Sequence, residues 1–241
     1  MPVFEKKYIV DIAHVGASNL LTNYGMLSIL ENIACKHSDI AGFGINDIHK
    51  THLSWVLLNW KVKILQRVTY GTELCVRTWA KCSNKFNTYR DFEVRDPDGN
   101  LVCIATTKWA LIDIEKNGIT RITDEIINQY GPMEQNVFED PEINKLVEPN
   151  HFSNEYIYQT QRRDIDVNQH MHNLNYLLVG YEALPEDIYF TPECNNIEVM
   201  YKKGIRLGDT VKCLYSYSEN SHYITMKSTD DKYIHCIIKM S

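Results

Sequence analysis

Between Arg163 and Tyr176 the chain reads Arg163-Asp164-Ile165-Asp166-Val167-Asn168-Gln169-His170-Met171-His172-Asn173-Leu174-Asn175-Tyr176. Three of these side chains can do acid–base and hydrogen-bond chemistry together. Asp166, Asn168 and His170 alternate, so in an extended segment all three project to one side. An imidazole titrates near neutral pH and suits a general base. A carboxamide can hold a water or a polarised carbonyl, and a carboxylate can orient the imidazole or activate that water. Leu174, Leu177 and Leu178 fall on one side of a short helix over Asn173–Tyr181. Its first backbone N–H groups have no intrahelical partner and favour a developing oxyanion. The set points to attack of water on an activated acyl group. The competing reading is an Asp-x-Asn turn or helix cap, in which the side chains bind only backbone. His172 is read as a neighbour facing away, and His14, His37, His49 and His52 have no comparable company.

The elements that must position this set are written twice. Met26, Leu27, Leu30, Ile33 and Ala34 have the spacing of one buried helical face within Tyr24–Lys36. Residues 53–113 then read as strands, with a hairpin turn at Asp96-Pro97-Asp98-Gly99-Asn100 and a long strand from Leu101 to Asp113. The second half repeats this order, with strand-like runs at Ile197–Tyr201, Thr210–Tyr217, His222–Lys227 and Tyr233–Met240. Val62 and Val199 are 137 residues apart, as are Gly71 and Gly208, each glycine in a turn that feeds a strand. An internal duplication of about 130 residues accounts for this spacing. The expected organisation is a first unit over residues 1–130, a linker over 131–155 and a second unit over 156–241 carrying the reactive set. The linker holds Gly131-Pro132, Pro141 and Pro149, with six acids against one lysine. A helix followed by a twisted antiparallel sheet gives an α+β fold: two helix-wrapped sheet units forming one continuous sheet, with an apolar slot beside the helices.

Bulk composition narrows the function classes. A chain of 241 residues with 44% apolar and 23% charged residues is ordinary globular material. A net charge of −6 argues against nucleic acid as a partner. No apolar stretch reaches the ~20 residues of a membrane span, and the N-terminus lacks a signal-peptide run, so membrane insertion is not expected and a cytoplasmic location is. The cysteines, Cys35, Cys75, Cys82, Cys103, Cys194, Cys213 and Cys236, form no C-x-x-C pair and read as reduced thiols. No metal site is expected, since the His and Cys residues are scattered, and no organic cofactor, since Gly42-Phe43-Gly44 lacks a third glycine and a preceding strand.

These residues resemble the acyl-acyl-carrier-protein thioesterase family of bacteria and plants. Asp166, Asn168, His170, Asn173 and Tyr176 match its D-x-N-x-H-x-x-N-x-x-Y signature, and Leu53-Ser54-Trp55-Val56-Leu57 resembles its strand after the first long helix. Trp79 and Trp109 fall where the family often has tryptophans. The resemblance covers nearly the whole chain. It implies a double hotdog fold, catalytic roles for Asp166, Asn168 and His170, an N-terminal unit that shapes the acyl pocket, and release of free fatty acid from acyl carrier protein in lipid metabolism. One position departs. The family usually carries a glutamate just after its tyrosine-basic-basic run, and here Tyr201-Lys202-Lys203 is followed by Gly204. Either three residues suffice, or another acid such as Glu198 or Glu182 substitutes, or activity is low. If the slot keeps the family's geometry, a carboxylate restored at 204 is expected to reach the reactive water. The competing outcomes are a glycine that holds a positive φ and a resident acid such as Glu198 that already does the job.

Two other functions share this fold. A hydratase or dehydratase needs an acid and a histidine placed across units, and the first copy holds no such set. A non-catalytic acyl-binding module is kept open by Gly204. An acidic carrier needs local positive charge to dock. Arg162, Arg163, Lys202, Lys203 and Arg206 lie near the motif and can rim the slot, or serve as ordinary strand-edge charges. An edge-to-edge homodimer is open as well.

Overall fold

The computed structural model describes residues 2–82, 84–190 and 194–241. Two compact units divide the chain, Met1–Ile143 and Asn144–Ser241. The first runs β1 (Phe4–Ile9), a 3-10 turn (Ile12–His14), α1 (Asn23–Ala41), α2 (Ile48–Thr51), β2 (Leu53–Ile64), β3 (Glu73–Ala80), β4 (Asn87–Arg95), β5 (Leu101–Asp113), β6 (Gly118–Thr120) and α3 (Asp124–Asn128). The expected apolar stripe is the reason α1 sits where it does. Met26, Leu27, Leu30, Ile33 and Ala34 are buried, and the helix packs on β1 and β3. Each of its large apolar side chains contributes roughly 1.5–3 kcal/mol by leaving water. Thr22 starts the helix by accepting the Gly25 N–H on Oγ1 at 3.0 Å. The strands pair antiparallel in the order β1-β3-β4-β5-β2, with β6 on β5. Asp96 closes the β4–β5 hairpin by accepting the Asn100 N–H at 2.8 Å.

The second unit runs β7 (Asn154–Gln159), a 3-10 turn (Arg162–Asp164), α4 (Asn175–Tyr181), α5 (Glu186–Phe190), β8 (Asn196–Tyr201), β9 (Thr210–Ser218), β10 (Ser221–Ser228) and β11 (Ile234–Met240). Its sheet order, β7-β9-β10-β11-β8, is that of the first unit element for element. The duplication read from spacing is therefore a duplication of topology, and each unit is an α+β hotdog. Gly71 (φ 80°) and Gly208 (φ 84°) hold matching left-handed turns before β3 and β9, a conformation that costs glycine little. The helices differ. α1 has 19 residues and α4 has 7, and α4 begins at Asn175 rather than Asn173.

The acidic stretch after α3 is held along its first half by the first unit's sheet. The Trp79 indole N–H donates to the Gln135 carbonyl at 3.1 Å, and Val137 N–H donates to buried Asp91 at 3.1 Å. Lys61 Nζ reaches the carbonyls of Asp140 and Glu142 at 2.8 and 2.9 Å. Paired backbone of this kind is structure, not free linker.

Candidate active site

Residues 165–171 form a tight loop closed by an Ile165–Met171 bridge, not the extended segment expected. The Asp166 N–H donates to the His170 carbonyl at 2.8 Å and the Gln169 N–H to the Asp166 carbonyl at 3.1 Å, with Gln169 at φ 61°. The first unit builds the same loop at Val15–Leu21. There the Gly16 N–H donates to the Leu20 carbonyl at 3.0 Å, the Asn19 N–H to the Gly16 carbonyl at 2.9 Å, and Asn19 stands at φ 58°. Gly16, Ser18 and Leu20 thus occupy the places of Asp166, Asn168 and His170. The loop belongs to the fold and forms without the polar set, so turn formation alone does not account for those three residues.

Within the loop the imidazole is fixed by one contact. His170 Nδ1 lies 2.8 Å from the Asn168 carbonyl oxygen. A carbonyl can only accept, so Nδ1 carries the proton and the neutral ring keeps its lone pair on Nε2. Asp166 Oδ1 accepts the backbone N–H groups of Asn168 at 2.8 Å and His170 at 3.3 Å. The carboxylate therefore braces the loop and reaches His170 through its backbone, as the turn reading anticipated; it does not bind the ring. The helix-cap reading fails, because α4 has no side-chain cap. Two backbone N–H groups ahead of the helix are already engaged. The Met171 N–H is spent on the Ile205 carbonyl at 2.8 Å and the His172 N–H on the Asp164 carbonyl at 2.7 Å.

The segment after β8 forms the opposite wall. A Cβ built on Gly204 would stand 2.6 Å from His170 Cδ2 and 3.3 Å from Nε2. Gly204 is not among the positive-φ glycines, so close approach to the ring, not backbone conformation, demands its small size. A carboxylate at 204 would have to displace the ring or the wall before it could reach a water beside His170. Tyr176 sets this wall. Its hydroxyl accepts the buried Ile205 N–H at 3.1 Å, and the Tyr201 hydroxyl donates to the Asn173 carbonyl at 2.9 Å. Burial pushes the Tyr176 phenol well up, so it stays a neutral hydroxyl. Tyr176→Phe strands a buried donor at a cost of about 1–3 kcal/mol. The melting temperature should fall by roughly 2–10 °C, and a melt within one degree of the parent protein would contradict this account of the wall.

An open cleft of about 760 Å³ lies against this wall, lined by His170, Lys203, Gly204, Arg206, Asp209 and His235 among others. Asp166 and Asn168 hold the loop behind His170 and are not part of its lining. Of the basic residues expected at the mouth, Lys203 and Arg206 line the cleft, whereas Arg163 and Lys202 are exposed without lining it. Neither acid proposed to replace the missing glutamate is there. Glu198 pairs with Lys239 at 3.7 Å on β8–β11, and Glu182 is exposed at the end of α4. The acids that do line it are Asp209, which accepts the Arg206 N–H at 2.8 Å, and Asp230. Side-chain hydrogen bonds from Lys232 and Ser228 hold Asp230 well below the usual carboxylate range. The cysteines in this unit's sheet offer no ready nucleophile, since burial pushes Cys213 up to about 12 and raises Cys236 well above the usual thiol range. Among the described residues no group of three or more His, Cys, Asp or Glu is arranged to hold a metal ion.

Sequence models of the acyl-ACP thioesterase N-terminal and C-terminal domains match residues 2–130 and 147–238. The chain belongs to the acyl-ACP thioesterase family. Among its relatives, the chloroplastic oleoyl-acyl carrier protein thioesterase 2 of Arabidopsis thaliana is 26% identical over 243 aligned positions, covering 94% of this chain and 66% of that protein. The chloroplastic dodecanoyl-[acyl-carrier-protein] hydrolase of Umbellularia californica is 25% identical over 231 positions, covering 91% of this chain and 60% of that protein. The chain thus spans less than two thirds of the length of these relatives. Two solved structures share the family fold. The acyl-ACP thioesterase of Bacteroides thetaiotaomicron superposes with a TM-score of 0.85 at 23% identity, over 99% of this chain and 96% of that one. The 12:0-ACP thioesterase of Umbellularia californica gives 0.88 at 21% identity, over 99% and 96%.

One member of the cleft carries no sequence signal. His235 lies in β11 among apolar neighbours, Ile234-His235-Cys236-Ile237-Ile238, and reads there as a strand residue. Only the fold brings it to the same cleft as His170.

Proposed function

We propose that this chain hydrolyses fatty acyl thioesters carried on acyl carrier protein and releases free fatty acid, as a step of lipid metabolism. The observation that supports it most is the tautomer of His170, whose Nδ1–H is held by the Asn168 carbonyl. That leaves Nε2 as a base beside a polar cleft. In the proposed step Nε2 takes a proton from water as the oxygen attacks the thioester carbonyl carbon. The tetrahedral intermediate collapses, the carbon–sulfur bond breaks, and the leaving thiolate takes the proton back from the imidazolium. Asn168 takes part through its backbone carbonyl, which accepts the Nδ1–H and fixes the imidazole. Asp166 keeps both residues in register through the loop backbone. The first unit is assigned the shaping of the acyl pocket.

Lys203 and Arg206, with Lys202 and Arg163 farther out, supply the positive field for an acidic carrier. Charge reversal at Lys203 and Arg206 together should raise the Michaelis constant for a carrier-bound substrate about tenfold and leave that for a small acyl thioester nearly unchanged. The effect should shrink with added salt, because steering is screened over ~8–10 Å at physiological ionic strength. Equal effects on the two substrates would remove these residues from the docking face. A cytoplasmic location is part of this proposal. Among the described residues no helix is long and apolar enough to cross a membrane.

A further inference from the structure

We infer that His235 is a positioning residue for His170, acting through the Lys203–Gly204 peptide; the inference rests on the thioesterase reading above. His235 is 5% exposed, at the start of β11. It grips the segment after β8 at two points. Its carbonyl accepts the Lys202 N–H at 2.9 Å, and its Nδ1 lies 2.9 Å from the Lys203 carbonyl oxygen. That oxygen can only accept, so Nδ1 of His235 carries the proton, as Nδ1 of His170 does.

The consequence follows from where the gripped segment goes next. Gly204, one residue beyond the clamped carbonyl, sits so close to the His170 ring that an added Cβ would stand 2.6 Å from Cδ2. The other side of that segment is tied down at Ile205, whose N–H goes to Tyr176 and whose carbonyl goes to Met171. Gly204 is thus held from both flanks, by His235 on one and by the signature tyrosine on the other. An inward shift of Gly204 drives the ring off its bond to the Asn168 carbonyl. An outward shift removes the wall that keeps the ring in one rotamer. Either frees the imidazole to present the wrong nitrogen.

The test uses variants that separate the two ring nitrogens. The amide nitrogen of asparagine overlays Nδ1, and that of glutamine overlays Nε2. In the full chain, H235N should keep kcat within about threefold of the parent enzyme, whereas H235Q should lose about tenfold or more in kcat with little change in KM. Long-range ¹H–¹⁵N spectra of the histidine rings should show His170 as the Nδ1–H tautomer in the parent protein and H235N, and as a mixture in H235Q. H235N and H235Q equally slow, or both with the parent rate and the parent His170 spectrum, would overturn the inference. If the parent protein hydrolyses no acyl thioester, the thioesterase reading fails by itself, and the ring spectra still decide whether His235 positions His170.

Discussion

Replacing His170 by alanine should lower thioester turnover by ~100–10,000-fold, the range a general base contributes, while the protein melts as before. The fold survives because the loop does not depend on the imidazole. The first unit builds the same turn with Leu20 in that place. His170 is also half-buried at the cleft and outside the apolar core, so its removal opens no cavity. His172→Ala is the control. His172 does not line the cleft, and its backbone N–H, which the substitution keeps, makes the 2.7 Å bond to Asp164. Steady-state kinetics with melting curves on both variants check this. More than a third of the parent activity in His170→Ala would remove the imidazole from the mechanism.

Substitution of Gly204 should be the next most damaging change. An alanine Cβ at 2.6 Å from His170 Cδ2 is far inside the ~3.5–4.0 Å at which carbon atoms rest. The ring or the wall must move, and a displacement of ~1 Å at a reacting group can cost ~100-fold in rate. Gly204→Ala is therefore expected to lose about 10–100-fold in kcat, and Gly204→Glu at least as much. A glutamate here cannot simply restore the family's pattern, because the space it would enter is filled by the imidazole it would serve. The loss should fall on catalysis and spare stability, since Gly204 is exposed and free of positive φ. A Gly204→Glu enzyme as fast as the parent would show that the wall yields and that the acid can be recovered.

How much of this was legible before the structure depends on the range of the interaction. The α1 stripe, the Asp96–Asn100 turn and the matched glycines at 71 and 208 are local patterns, and each lies where its spacing put it. The order of the two halves followed from the same patterns, because equal elements in equal order pair into equal sheets. The reactive loop was found by residue type, but its shape was not. Alternation at Asp166, Asn168 and His170 suggested an extended run, whereas backbone bonds from Asp166 to His170 fold it into a turn. The start of α4 moved to Asn175 for the same reason, since the preceding N–H groups bond to Asp164 and Ile205. The contacts of longest range left no trace at all. Nothing near Gly204 says that it faces His170, nothing near His235 says that it holds Lys203, and the signature Tyr176 gives no hint that its partner is the Ile205 N–H.

The central claim, that His170 in this cleft directs water at an acyl thioester, is tested most directly by thiol release. Purified full-length chain would be given a panel of acyl-acyl-carrier-protein thioesters of different chain lengths, with free thiol and free fatty acid measured together. The account predicts equimolar thiol and fatty acid over many turnovers with the parent enzyme, and almost none with His170→Ala. Acyl-acyl carrier protein that is bound with its thioester left unhydrolysed by the parent enzyme would contradict it.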